Sequence, residues 1–168
     1  MLIYHPAFDP YHCAFRGMRI LNAVGGLEIE VDGFRMADFY MLFPGLITEI
    51  RLPQALLKWR SRFSGLANPY HFSGDQRMVF ERMRDFQLMA LRALASREII
   101  DKRKFENGTV IKGEGEYSKQ LRDLIEKTNT REEDLVHFLA GLLTEIPLKG
   151  DGGLKARSGL MEHRYDVV

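Results

Sequence analysis

The chain has a single cysteine, Cys13, among 168 residues, so no disulfide can form within it. That suits a reducing compartment and argues against a small secreted scaffold. No uninterrupted apolar run approaches the ~20 residues of a membrane span. The opening Met1-Leu2-Ile3-Tyr4-His5-Pro6 has neither the basic region nor the apolar core of a signal peptide. A cytoplasmic protein without a membrane segment is the expectation. Net charge is only +1, so the molecule as a whole has no electrostatic case for nucleic acid. Internal repeats and low-complexity tracts are absent. The signatures G-x-S-x-G, P-loop, G-x-G-x-x-G after a strand and H-E-x-x-H are missing too, so no common hydrolase, nucleotide-binding or zinc-protease reading applies. The pair Gly113 and Gly115 lacks the downstream glycine and helix of a phosphate cradle.

What is present is patterned. Apolar content of 45% and charged content of 28% are those of an ordinary globular protein. Charge is uneven: residues 51–104 hold 12 Lys/Arg against 5 Asp/Glu, while the flanking stretches 1–50 and 105–147 are acidic. This permits a local basic patch or simply a mixed solvated surface.

Asp9-Pro10 is a helix start, with Asp at the N-cap and Pro at the first helical position, and Gly25-Gly26 is a stop. Residues 27–31 alternate like a short strand. Asp32 is the expected cap of a second helix that Pro44 ends. Its segment Asp38-Phe39-Tyr40-Met41-Leu42-Phe43 is apolar on nearly all sides, so it is either buried or covered by a partner. A buried Asp38 needs a counter-charge, and Arg35 one turn earlier is the expected donor. A third helix is predicted over 54–63, a loop over 64–74 that ends in a Ser73 or Asp75 cap, and a long helix to about Ser96. The stripe Val79, Met83, Phe86, Ala90 and Leu94 marks the buried face of that helix.

Asn107-Gly108 then signals a two-residue hairpin pairing Glu106 with Thr109 and Phe105 with Val110. Helices over about 117–127 and from a Thr130–Glu133 capping box to Pro147 follow. The expected fold is mainly α (α+β): a winged-helix-like domain over 1–147, with a β-hairpin wing near 99–112 and C-terminal helices. A glycine-rich tail over 148–168 either frays or docks, on a partner or on its own domain.

Candidate functional residues are few. His5, Asp9, His12 and Cys13 contain zinc-ligand and nucleophile types, but no second ligand pair or orienting residue accompanies them. A structural role is the expectation, with no catalytic, cofactor or metal residue assigned. His71, His137 and His163 are isolated. Arg97, Lys102, Arg103, Lys104 and Lys112 lie on or beside the predicted wing and are candidate contacts for DNA phosphate. The bulky apolar residues Phe86, Leu88, Met89 and Leu91 leave little room for a base-reading row, which favours protein docking. A winged-helix transcriptional regulator is the alternative.

Two stretches carry a resemblance: Tyr4-His5-Pro6-Ala7-Phe8-Asp9-Pro10-Tyr11-His12-Cys13-Ala14-Phe15-Arg16, and Arg35-Met36-Ala37-Asp38-Phe39-Tyr40-Met41-Leu42-Phe43-Pro44. With these the chain resembles the middle component of bacterial ABC three-component systems, a group that includes the Lamassu antiphage operons. The resemblance implies a non-enzymatic accessory subunit, similar to the small winged-helix subunits of SMC complexes. Its partners would be an SMC- or Rad50-like ATPase and a separate effector, often a nuclease. Phe39, Tyr40 and Phe43, and Tyr165 in the tail, are then candidate partner contacts, with core packing as the alternative.

Overall fold

Asp9 and Gly25 do what their chemistry dictates. In the computed structural model, which describes residues 4–66 and 75–162, Asp9 Oδ1 accepts the amides of Tyr11 at 2.7 Å and His12 at 3.2 Å. Helix α1 (Pro10–Val24) follows, and Gly25 ends it at φ 62°. A two-residue strand, β1 (Ile29–Glu30), leads into α2 (Val31–Leu42), which stops before Pro44. Helix α2 starts one residue before Asp32, so Asp32 sits in its first turn instead of capping it. The predicted third helix is a 3-10 segment, Gln54–Trp59, that continues into the single turn α3 (Arg60–Phe63). Asp75 caps α4 (Gln76–Ser96) through the Arg77 amide. The Ser73 cap alternative, most of the 64–74 loop, His71 and His163 lie outside the described residues.

The hairpin is the main correction. Asp101 accepts the Lys104 amide and starts a short helix, α5 (Lys102–Glu106). Asn107-Gly108 ends that helix, with Gly108 at φ 88° in the left-handed position that follows a helix C-terminus. Thr109 and Val110 form β2, which pairs antiparallel with β1 (Ile29 with Val110, Glu30 with Thr109), not with Glu106 and Phe105. The base of the predicted wing is present as an Ile100–Lys112 bridge; its tip is helical. A preceding N-cap aspartate turned the same dipeptide from a hairpin signal into a helix stop.

The end of α4 is tightly built. Glu98 adopts φ 59°, and the amides of Ile99 and Glu98 bond back to the carbonyls of Leu94 and Ala95, a Schellman ending. Gly113 and Gly115 pass directly under it: a Cβ on Gly113 would lie 2.1 Å from the Glu98 oxygen, and one on Gly115 2.4 Å from the Arg97 oxygen. These glycines serve close backbone approach.

The predicted capping box does not form. Helix α6 (Lys119–Arg131) runs through Thr130, whose hydroxyl donates to the Glu126 carbonyl at 2.9 Å. Helix α7 (Glu133–Glu145) begins after Glu132, whose carboxylate is drawn to Arg19. After Pro147 the chain packs back through the short helix α8 (Leu154–Ser158), and Leu154 and Leu160 join the main core. The described residues are thus mainly helical, with a small two-stranded antiparallel sheet. Its centre is α2, buried on every side from Gly33 to Met41 by α1, α4, α7 and the returning C-terminal segment.

Candidate functional site

Four buried polar residues, Arg16, Arg35, Asp38 and Gln87, converge on one point. Arg16 lies on the inner stripe of α1 with Cys13, Gly17 and Ile20. Its guanidinium grips Asp38 of α2 with a fork, Nε to Oδ1 at 2.6 Å and Nη2 to Oδ2 at 3.2 Å. It also donates to the Pro6 carbonyl and to the Cys13 sulfur. Gln87, on the inner face of α4, donates to Asp38 Oδ2 at 2.7 Å and to the Arg35 carbonyl, and accepts from Arg35 Nε at 3.0 Å. Arg35 itself pairs with Asp32 at 2.9 Å and lies 4.5 Å over the Phe80 ring. The expected Arg35–Asp38 partnership is therefore corrected: a long-range arginine took the aspartate, and Arg35 turned to Asp32 and Gln87. Sequence reasoning missed Arg16 and Gln87. The signal was there, because each is a polar residue at a core position of an amphipathic stripe.

This cluster joins three helices and offers no reactive group. Burial pushes the Cys13 thiol up to about 12, so it carries almost no thiolate at neutral pH. His12 is exposed and turned edge-on to Tyr4 at 5.6 Å. No set of three His, Cys, Asp or Glu side chains able to hold a metal occurs among the described residues. What the arrangement can do is fix the mutual register of α1, α2 and α4, because a bidentate Arg–carboxylate pair tolerates little displacement.

Two surface features accompany it. Met41, Leu42, Pro44, Phe63, Leu66 and Leu135 line a cleft of about 690 Å³, with the Arg62–Asp134 ion pair (3.4 Å) on its rim. Around the end of α4, Lys102 and Arg103 border a depression of about 310 Å³ together with Glu98, Asp101 and Glu114. That second surface is of mixed sign.

Residues 2–166 match the family described as ABC-three component (ABC-3C) system Middle Component 5. The chain belongs to that family. No curated protein and no solved structure matches it. A middle component is one part of a multi-protein system, so protein partners and an accessory role follow at that level. No described helix of this middle component is long and apolar enough to cross a membrane. Phe39, Tyr40 and Phe43 are 0%, 1% and 1% exposed, and Phe39 packs edge-on against Phe80 at 5.7 Å. They form its core and present nothing to a partner in this conformation. Tyr165 lies outside the described residues. Arg97, Lys102, Arg103 and Lys112 are exposed, whereas Lys104 is bonded to Glu28 at 2.9 Å.

Proposed function

We propose that this middle component is a non-catalytic adaptor of a Lamassu-type antiphage defence complex. In this reading it works in the cytoplasm, docks on an SMC- or Rad50-like ATPase and joins it to an effector nuclease. The near-complete family match carries the reading. The inward use of the polar cluster supports it, since Arg16, Asp38 and Gln87 are spent on holding helices together. Co-expression with the neighbouring genes tests it: the middle component should co-purify with an ATPase and an effector at fixed ratio. Elution as a lone monomer in the presence of both would sink it.

A secondary, sequence-independent DNA contact through Arg97, Lys102, Arg103 and Lys112 is supported by their exposure and by the lack of a carboxylate partner for any of the four among the described residues. Its signature is salt-dependent duplex binding whose log–log slope flattens when Arg103 and Lys102 are neutralised. The winged-helix regulator is the stronger version of the same idea. It requires autonomous, sequence-selective duplex binding by the isolated chain.

A further inference from the structure

We propose that Arg51, Arg60 and Arg157, with the exposed Leu57 one turn before Arg60, form the docking surface for an acidic segment of a partner protein that carries an apolar anchor. This rests on the subunit reading above and adds to it the place and chemistry of contact. The three arginines gather where the 50–60 segment meets the returning C-terminal segment. The Arg51 amide donates to the Arg157 carbonyl at 3.1 Å, and Arg157 Nη1 donates back to the Arg51 carbonyl at 2.7 Å. Arg51 Nη2 donates to the Ala156 carbonyl, and Arg60 Nη2 to the Ile50 carbonyl at 3.0 Å. Arg157 Nε adds the Gly152 carbonyl at 2.6 Å. Every one of these acceptors is a neutral carbonyl.

No described carboxylate forms an ion pair with any of the three, in contrast with Arg16, Arg19, Arg35, Arg62 and Arg131. A carbonyl orients a guanidinium without neutralising it. Each guanidinium carries five N–H donors, and the bonds above use two at Arg157 and one each at Arg51 and Arg60. The result is three pre-oriented cations with donors to spare, which is the arrangement that recognises carboxylates in forks. Beside them, Leu57 is 43% exposed. It lies three residues before Arg60, whose amide donates to the Leu57 carbonyl where the 3-10 segment passes into α3, so the two sit one turn apart. Exposed leucine flanked by arginine fits an apolar anchor inside a charged rim. A duplex contact draws on a longer run of cations than three, so charge complementarity here favours an acidic protein segment.

The test compares two triple variants in the full chain, co-expressed with the ATPase and effector encoded beside it. Arg51→Gln/Arg60→Gln/Arg157→Gln keeps donors for the carbonyls but removes the charge. Arg51→Lys/Arg60→Lys/Arg157→Lys keeps the charge. The Gln set should lower co-purified partner roughly tenfold or more, with the Lys set, which keeps the charge but not the forks, falling between it and the wild type. Leu57→Ser, on an exposed side chain, should lower it as well, and thermal melts establish folding. If the Gln set does not fold, Arg60→Glu alone is read against Leu57→Ser. The proposal is overturned if the Gln set retains its partner like the wild type, if both sets lose it equally, or if duplex DNA displaces the partner. A wild-type chain that elutes alone defeats the subunit reading itself, and this surface with it.

Discussion

Replacing Asp38 by alanine should be the most damaging single change in the interior. Asp38 is 3% exposed and Arg16 is 6% exposed. The substitution leaves the Arg16 cation with only the Pro6 carbonyl and the Cys13 sulfur, and strips one acceptor from Gln87. Breaking a buried pair from one side costs about 3–5 kcal/mol, because the remaining charge stays desolvated and uncompensated. In a protein of this size each kcal/mol lowers Tm by about 2–4 °C, so a fall of roughly 6–20 °C is expected. Urea denaturation followed by circular dichroism gives the free energy directly. The double change Arg16→Met/Asp38→Leu removes both charges together and should cost well under the sum of Arg16→Met and Asp38→Leu, since neither member of the pair is left buried without the other. A cost below about 1 kcal/mol for Asp38→Ala, or strict additivity in the cycle, would refute the view that the pair is buried and mutually dependent.

Other expectations concern single sites. Glu98→Gly should stabilise by about 0.5–1 kcal/mol, because glycine adopts the positive φ without the Cβ penalty; urea midpoints report it. Gly113→Ala places a Cβ 2.1 Å from a backbone oxygen and should destabilise by at least about 3 kcal/mol, seen as loss of the cooperative melt. With its thiol pushed up to about 12, Cys13 should resist iodoacetamide at pH 8 in the native protein and react readily in urea. His5 Nδ1 accepts the Ala7 amide at 3.1 Å, and burial, then Arg16 and Arg82, lower its pKa below 6.5. The folded state therefore favours neutral His5, and its contribution is full above pH 6.5 and lost as pH falls toward the lower folded value. Melts of His5→Asn, which keeps a capping acceptor but does not titrate, should show a shallower decline over that window.

How much of this was legible follows from the range of each interaction. Both ends of α1, the C-terminal end of α2 and the start of α4 were readable because Asp9, Gly25, Pro44 and Asp75 act on residues within one turn. Asn107-Gly108 misled because local chemistry is ambiguous: the dipeptide closes a hairpin or a helix, and Asp101 six residues earlier decided which. Thr130 looked like a cap for Glu133, but its hydroxyl bonds back to Glu126 within α6, and α7 starts after Glu132, which is held by Arg19 113 residues away. The polar cluster was half visible. Asp38 stood out in an apolar helix, yet its partners lie 22 and 49 residues off, and no spacing rule reaches that far. The docking arginines were unreadable for the same reason, since Arg157 meets Arg51 across 106 residues.

Helix α2 also sets a condition on synthesis. It is buried by α4, α7 and a segment near residue 158, all of which are made later. At typical rates of 5–20 residues per second, its apolar surface waits roughly 6–24 s on the ribosome before residue 160 is made. A nascent chain stopped near residue 100 would thus present Phe39, Tyr40 and Phe43 to chaperones and proteases, three of the largest side chains that the finished fold buries fully. Protease sensitivity of stalled chains, falling sharply once the C-terminal segment has emerged, would display this order of events.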